Sequence, residues 1–265
     1  MTEGHGCVND FSRTLAQTIW EPLIPKDAIT VFSGGTKGVL SPHITFVVRS
    51  NDATGPVAAV GRTRNLMPAD IGTATLATLV AETVDSMTRD LKVQPADAHL
   101  VLVTSPLPTS GKIASIRAAG KEPVMADTYK SMALARSASA LGVASTMGEL
   151  ARTDIESALL SGTAWSAKAS CSSGPELEDN HILILAADPE DISESTSSPN
   201  LRITSDSMAD TIDASIVQEL LPRVKKDNVR IVQLFAKAEA DSHGLIRGAR
   251  HTMSTDSDSQ STRHA

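Results

Sequence analysis

The sequence has few aromatic residues and almost no cysteine. Its 265 residues include four Phe, two Trp and one Tyr, which is 3% aromatic in a chain that is 41% hydrophobic. The core must therefore be built mainly from Val, Ile, Leu and Ala. The two cysteines, Cys7 and Cys171, are too few for a disulfide framework. No cluster of His and Cys has the spacing of a zinc site.

Long apolar runs and an excess of positive charge are also missing. The net charge is −7, which argues against a broad basic surface for nucleic acid. The apolar run at residues 181–187 is far too short to span a bilayer. No charged segment followed by an apolar one opens the chain, so a signal peptide is not expected. We therefore predict a cytoplasmic protein that binds neither nucleic acid nor membrane.

The hydrophobic pattern predicts alternating helices and strands. Apolar residues at helical spacing predict helices over residues 70–91, 127–141 and 208–221, the last ended by Pro222. Asp127 or Thr128 is the expected N-cap of the second helix. Short runs rich in Val, Ile and Leu predict strands at residues 44–48, 57–60, 100–103, 182–185 and 229–235. This alternation is typical of an α/β protein.

Motifs that contain arginine and serine are repeated three times along the chain. Arg13, Arg136 and Arg263 recur at near-constant intervals among small, uncharged residues. Polar stretches at residues 50–55 and 188–200 each precede a similar string and mark the starts of repeats. We predict three similar α/β repeats: residues 1–50 form a partial first repeat, 55–190 a complete middle repeat and 200–265 a partial third repeat.

Serine-glycine strings lie between the arginine motifs, at Ser33-Gly34 and Ser172-Ser173-Gly174. Each is interpreted as a turn that exposes a serine beside backbone N–H groups, which can hold a carbonyl oxygen or an oxyanion. A plain turn is the alternative. The planar guanidinium groups of the arginines suit a planar ligand that bears carbonyl groups. The alternative is that these arginines are exposed surface residues, as most arginines are.

Basic side chains that could activate a serine are few. Lys237 follows a predicted strand, where burial would lower its pKa and suit it to act as a base; a solvated lysine is the alternative. His43 and His181 follow the serine strings, but the sequence identifies no aspartate partner for either.

Longer strings support these motifs along nearly the whole chain. They are TEGHGCVND at residues 2–10, SGGTKGVLSPH at 33–43, KIAS at 112–115, DTY at 127–129, ASALG at 138–142, FAKAEA at 235–240, RHTM at 250–253 and STRHA at 261–265. Together they resemble the ring-opening amidohydrolase family, which includes cyanuric acid hydrolases and barbiturases. The resemblance implies three α/β domains around a pseudo-threefold axis, with one central active site.

The resemblance also implies a role for each matching residue. Ser172 would be the nucleophile, and Lys237 a further catalytic residue from the third domain. The implied substrate-binding residues are Arg13, Ser33, Gly34, Arg136, Ser173 and Arg263, with the backbone of Gly34 and Ser173 holding ring oxygens. The implied reaction is hydrolysis of cyanuric acid to carboxybiuret, or of barbituric acid to ureidomalonate. No cofactor would be required for this chemistry. A structural divalent metal with Glu239 as one ligand and a homotetrameric assembly are also implied, and the remainder of the metal loop is expected beyond Ala265.

The chain departs from the family at two lysine positions. Thr104 stands where the family has the lysine that activates the nucleophilic serine, and Met1 stands at the position of the first lysine. Threonine offers no basic group. Two hypotheses therefore remain open: a cyclic amide hydrolase, or a degenerate or truncated homologue that binds a ring ligand or only assembles. A third is a plain α/β binding domain, in which the three arginines would point apart.

Overall fold

The computed structural model divides the chain into two compact units, Met1–Ser205 and Asp206–Ala265. The predicted division into three repeats remains a prediction. The residues that the structure describes are 15, 18–26, 28–30, 47–48, 55–162, 164–188, 201–210, 213–226, 230–235, 245–247 and 249–250.

A four-stranded mixed sheet forms the centre of the first unit. Its strands are β1 (Val57–Arg62), β2 (Ala98–Pro106), β3 (Ala169–Gly174) and β4 (His181–Ala186), in the order β1-β4-β2-β3. Strand β4 is antiparallel to both β1 and β2, whereas β2 and β3 are parallel. The parallel pair needs a long crossover, which the helices between β2 and β3 supply.

The helices of the first unit include α1 (Ala74–Leu91), α2 (Ser110–Ala118), α3 (Thr128–Thr146) and α4 (Ile155–Ser161), with 3-10 turns at Glu21–Leu23, Pro68–Asp70 and Arg152–Asp154. Helices α1 and α3 pack against the strands. The side chain of Asp127 caps α3 by accepting from the backbone N–H of Lys130 at 2.9 Å. The predicted cap is therefore confirmed. No described helix is both long and apolar enough to cross a membrane.

The core lies between the sheet and helices α1 and α3. Alternate strand residues point to this side. They pack against the apolar residues of α1, and both sets are fully buried. The members with no exposed surface include Leu76, Val80, Val84, Val101, Val103, Ile182 and Ile184. All are aliphatic, as the low aromatic content required. The opposite sheet face carries the side chains of Thr104, Ser172 and His181.

Gly142 lets α3 approach α1 closely. A β-carbon at this position would collide with the backbone oxygen of Ala77 and lie 3.0 Å from Cβ of Val80. We expect Gly142→Ala to destabilise the fold by about 1–3 kcal/mol, because the two helices would have to separate. Urea unfolding measures the change. Gly111→Ala is the control, because its methyl group would meet only Thr109 Oγ1, at 3.9 Å; equal stability losses in the two variants would contradict the close-packing account.

The second unit contains a helix and a short hairpin. Helix α5 spans Ala214–Lys226, and β5 (Leu245–Ile246) pairs antiparallel with β6 (Ala249–Arg250). The Asp213 carboxylate accepts from the backbone N–H of Ser215 at 3.1 Å. A hydrogen bond from the Ser215 hydroxyl, the largest of several causes, lowers the pKa of Asp213.

Several predicted elements are confirmed and others are wrong. The first two helices and the strands at 57–60, 100–103 and 182–185 are present, with somewhat different ends. The third helix begins at Ala214 rather than at residue 208. The prediction that Pro222 ends it is wrong, because α5 continues through Pro222 to Lys226 and forgoes one backbone hydrogen bond. Residues 230–235 and 47–48 form no strand, and the rest of those two predicted strands lies outside the described residues. The turn predicted at Ser172-Ser173-Gly174 is also wrong, because these residues belong to β3.

Candidate active site

Ser172 and Thr104 form a hydroxyl pair across the parallel strands. Ser172 on β3 is the register partner of Thr104 on β2, and both side chains project from the sheet face opposite the helices. Their Oγ and Oγ1 atoms lie 2.9 Å apart, so one hydroxyl donates to the other. Thr104 is 2% exposed and Ser172 is half-buried. The pair lies near the carboxyl ends of the strands, where open α/β sheets bind ligands.

His181 occupies the next strand in the same row. It is the register partner of Thr104 on one side and of Arg62 on the other. Its Nε2 lies 3.2 Å from Asp179 Oδ1 and its Nδ1 lies 3.4 Å from the backbone oxygen of Thr30. The histidine therefore has the aspartate partner that the sequence did not identify. Both ring nitrogens face these groups, and Thr104 stands between His181 and Ser172, so no base role is assigned to it.

The backbone of Ser173 is turned toward the outer side of β3. Among the strands of the described residues, β3 ends the sheet order, with β2 as its neighbour. The carbonyls of Lys168 and Gly174 accept from the N–H groups of Val101 and Leu107 at 2.9 and 3.1 Å. Since a strand's backbone groups alternate in direction, Ser173, next to Gly174, directs its N–H away from β2. An N–H group at a strand edge can donate to a ligand carbonyl.

A buried cluster of serines lies beneath this strand end. Ser105 of β2 and Ser139 of α3 have no exposed surface, and their hydroxyl oxygens lie 2.5 Å apart. Ser139 also donates to the backbone oxygen of Ala135 at 2.9 Å. Ser173 is the register partner of Ser105, and among the described residues its buried hydroxyl has no hydrogen-bond partner. The cluster therefore ties α3 to the strand pair that carries Ser172.

We expect Ser139→Ala to lower the free energy of unfolding by about 1–3 kcal/mol, because it removes the partner of the buried Ser105 hydroxyl. Ser105→Ala combined with Ser139→Ala should cost less than the two single changes added together. Urea unfolding of the three variants tests this, with Ser115→Ala on the exposed side of α2 as the control. Strict additivity would show that the two hydroxyls do not interact.

Arg136 is the one predicted arginine among the described residues. It lies on α3, is half-buried, and donates from Nε to the backbone oxygen of Met132 at 3.1 Å. Helix α3 packs on the sheet face opposite Ser172, so the guanidinium group can reach Ser172 only around the end or outer edge of β3. Other predicted site residues lie outside the described residues: Arg13, Ser33, Gly34, Lys237, Glu239 and Arg263, together with His43.

Within the described ranges, no group of three or more His, Cys, Asp or Glu side chains is arranged to hold a metal ion. Glu239 lies outside those ranges, so its predicted metal role stays a prediction.

Lys168 and His99, whose pKa values are lowered, lie at the other end of the sheet. Burial lowers the pKa of Lys168, whose Nζ donates to the backbone oxygen of Pro95 at 2.5 Å. Burial, with a smaller effect of the Lys168 charge, also lowers the pKa of His99, whose Nδ1 lies 2.9 Å from Ser205 Oγ. Both residues lie near the start of their strands, whereas Ser172 and Thr104 lie near the ends.

Ser172 and Thr104 were predictable from the sequence, but the residues around them were not. Ser105 and Ser139 carry no signal of their own, although Ser139 lies within the arginine motif around Arg136. Asp179 stands two residues before His181, a spacing that could have suggested the pair. The hydroxyl pair depends on the register of two strands that are 68 residues apart in the chain.

The family described as amidohydrolase ring-opening protein matches residues 1–265. Curated relatives include a cyanuric acid amidohydrolase from Sarocladium sp, 54% identical over the whole chain and 76% of the relative. Another, from Pseudonocardia dioxanivorans, is 50% identical over the same shares.

Solved structures agree with the sequence relatives. A cyanuric acid hydrolase described as an evolutionary innovation by structural concatenation has a TM-score of 0.75 at 34% identity, over 98% of this chain and 79% of its own. The crystal structure of a cyanuric acid hydrolase from A. caulinodans has a TM-score of 0.78 at 33% identity, over 100% of this chain and 77% of its own. The chain therefore belongs to the ring-opening amidohydrolase family, hydrolases that act on the C–N bonds of cyclic amides.

Proposed function

We propose that this protein hydrolyses cyanuric acid by ring opening, with Ser172 as the nucleophile. Support comes from the curated relatives, which are named cyanuric acid amidohydrolases. The observation that carries the proposal is the 2.9 Å contact between Ser172 Oγ and Thr104 Oγ1 on the sheet face opposite helices α1 and α3. This contact holds the serine oxygen in place near the carboxyl end of its strand.

The proposed reaction is acyl transfer to serine followed by hydrolysis. Ser172 Oγ attacks a ring carbonyl carbon and loses its proton to a base. The backbone N–H of Ser173 donates to the developing oxyanion. The ring C–N bond then breaks, the nitrogen takes up a proton, and water releases the ring-opened acid from Ser172. Carboxybiuret would be the product from cyanuric acid.

We propose that three arginines hold the carbonyl groups of the ring, each from one repeat. Arg136 would serve from the middle repeat, with Arg13 and Arg263 from the others, because the planar guanidinium fork suits carbonyl oxygens. Ser33 and Gly34 would bind the ring from the first repeat, and Lys237 would be a further catalytic residue from the third. Three similar repeats, each forming one side of the pocket, would match the three equivalent sides of the cyanuric acid ring.

We also propose that residues 55–190 form the middle one of three repeats around a pseudo-threefold axis. The complete sheet and helices between Val57 and Ala186 support this division. From the resemblance alone, we propose a homotetramer and a structural metal held in part by Glu239. From the sequence pattern, we propose a cytoplasmic location. No step of the proposed reaction passes through that metal.

The direct test is turnover of cyanuric acid and barbituric acid by the purified protein, followed by loss of ultraviolet absorbance. We expect cyanuric acid to be opened and barbituric acid to be opened more slowly or not at all. Faster opening of barbituric acid would transfer the proposal to that ring. A folded sample inert on both rings would contradict it.

A second candidate is a degenerate homologue that binds a ring ligand without turnover. Thr104 favours this reading, because it stands where the resemblance places the activating lysine and carries no basic group. For a degenerate homologue we expect cyanuric acid to raise the melting temperature of the protein without being converted to product. Calorimetry and product analysis on one sample separate the two functions.

A further inference from the structure

The turn after β3 returns a carboxylate toward the end of the strand that carries Ser172. A β-carbon built on Gly174 would lie 2.5 Å from both Cδ and Oε2 of Glu176 and would also collide with Oε1. The carboxylate therefore occupies the space that any side chain at position 174 would fill. Glycine is the one residue that leaves this space open without a shift of Glu176.

The direction of that space follows from the alternation of the strand. Residues two apart in a strand point to the same face, so the missing side chain of Gly174 would project on the same side as Ser172. Register pairing agrees, since Ser172 is opposite Thr104 and Gly174 is opposite Pro106. The Glu176 carboxylate thus lies on the face of the hydroxyl pair, about 7 Å along the strand from Cβ of Ser172.

We propose that Glu176 is a catalytic residue, the general base and acid for Ser172, an inference that rests on the proposed function. A carboxylate at this separation is within reach of the serine proton through one water molecule. Thr104 has no basic group to accept that proton, so the nearby carboxylate of Glu176 would serve as the general base. Glu176 is exposed and so can exchange its proton with solvent between turnovers.

The proton balance closes within one turnover. Ser172 forms its C–O bond while its proton passes to Glu176, and the same proton goes to the ring nitrogen as the C–N bond breaks. In the second half, water attacks the acyl carbon and gives a proton to Glu176. That proton returns to Ser172 as its C–O bond breaks, so one water is consumed and the enzyme is restored.

Two variants test the proposal through different changes. Glu176→Gln keeps the shape and removes the base; we expect kcat to fall about 100-fold or more with KM nearly unchanged. Gly174→Ala places a methyl group where the carboxylate lies and should produce a similar loss. Gly174 has an ordinary φ, so alanine adds no backbone strain there. The double variant should be no worse than Glu176→Gln alone.

Each variant has a control with the same substitution at another position: Glu178→Gln for Glu176→Gln, and Gly111→Ala for Gly174→Ala. Glu178→Gln removes a neighbouring carboxylate that pairs with Lys112 Nζ at 3.1 Å, and Gly111→Ala adds a methyl group in α2. Both should keep wild-type kcat. Wild-type kcat in Glu176→Gln and Gly174→Ala would overturn the proposal.

Labelling of Ser172 with a fluorophosphonate gives a readout that does not need ring opening. Ser172 Oγ forms a P–O bond, fluoride leaves, and the serine proton passes to Glu176. We expect labelling to slow about 10-fold or more in Glu176→Gln. Equal rates, or no labelling of Ser172 in the wild type, would overturn the role of Glu176. Fast labelling without turnover on either ring would instead count against the proposed function alone.

Discussion

Replacing Ser172 with alanine is expected to lower kcat for ring opening by about 10⁴-fold or more. The change removes the oxygen to which the acyl group is transferred, and loss of a nucleophile has effects of this size in serine hydrolases. Thr104 would also lose its hydroxyl partner, so its side chain would be buried with one hydrogen bond fewer. Steady-state kinetics with cyanuric acid measure the loss, and thermal unfolding checks that the variant is folded.

Ser170→Ala is the matched control for this experiment. Ser170 lies two residues before Ser172 on the same face of β3 and is half-buried. It should retain wild-type kcat, because it lies farther from the carboxyl end of the strand. If the two alanine variants had similar activity, the reaction would not use Ser172 as its nucleophile.

Replacing Thr104 with lysine is expected to raise the rate of ring opening by about 100-fold or more. The amine would lie beside Ser172 Oγ, and burial at a position that is now 2% exposed would lower the lysine pKa toward neutrality. General-base assistance of this kind contributes about 10²–10⁴-fold. Steady-state kinetics on cyanuric acid measure the gain, and fluorophosphonate labelling of Ser172 should rise in parallel.

Thr104→Met separates basicity from shape in this comparison. Methionine has a similar length, also removes the Thr104 hydroxyl, and brings no amine. It should not accelerate either reaction. If Thr104→Lys folds and reacts no faster than Thr104→Met, the position does not activate Ser172. A second base near Ser172 should also make the protein less dependent on Glu176, so the effect of Glu176→Gln should shrink in the lysine variant.

The sequence predicted the elements that carry strong local signals. Helix α1 repeats its apolar residues at helical spacing, and α3 begins at the capping side chain of Asp127. Strands β1, β2 and β4 contain short runs of Val, Ile and Leu. In each case the hydrophobic period or the capping residue is a local feature of the sequence, so it can be recognised without knowledge of tertiary contacts.

Strand β3 could not be predicted in this way. Its six residues are Ala, Ser, Cys, Ser, Ser and Gly, which have little β-propensity and suggested a turn. Its strand conformation comes from pairing with β2 and from packing on α3. The same dependence explains residues 230–235, which have a strand-like composition without strand structure. Strand propensity describes a fit to neighbours more than a preference of the backbone.

The candidate site was predicted as a set of residue types rather than as a geometry. The resemblance identified Ser172 and the departure at Thr104, but their contact depends on strand register. The position of the Glu176 carboxylate depends on the missing side chain of Gly174, a relation that residue type does not reveal. Asp179 and the buried serines likewise acquire their roles through packing.

The most direct test of Ser172 as the nucleophile is mass spectrometry of the protein quenched during reaction with cyanuric acid. We predict that the peptide containing Ser172 gains the mass of one cyanuric acid molecule, attached through Ser172 Oγ, and that Ser172→Ala abolishes the adduct. Turnover with no adduct on Ser172, or with an adduct on another residue, would contradict the account.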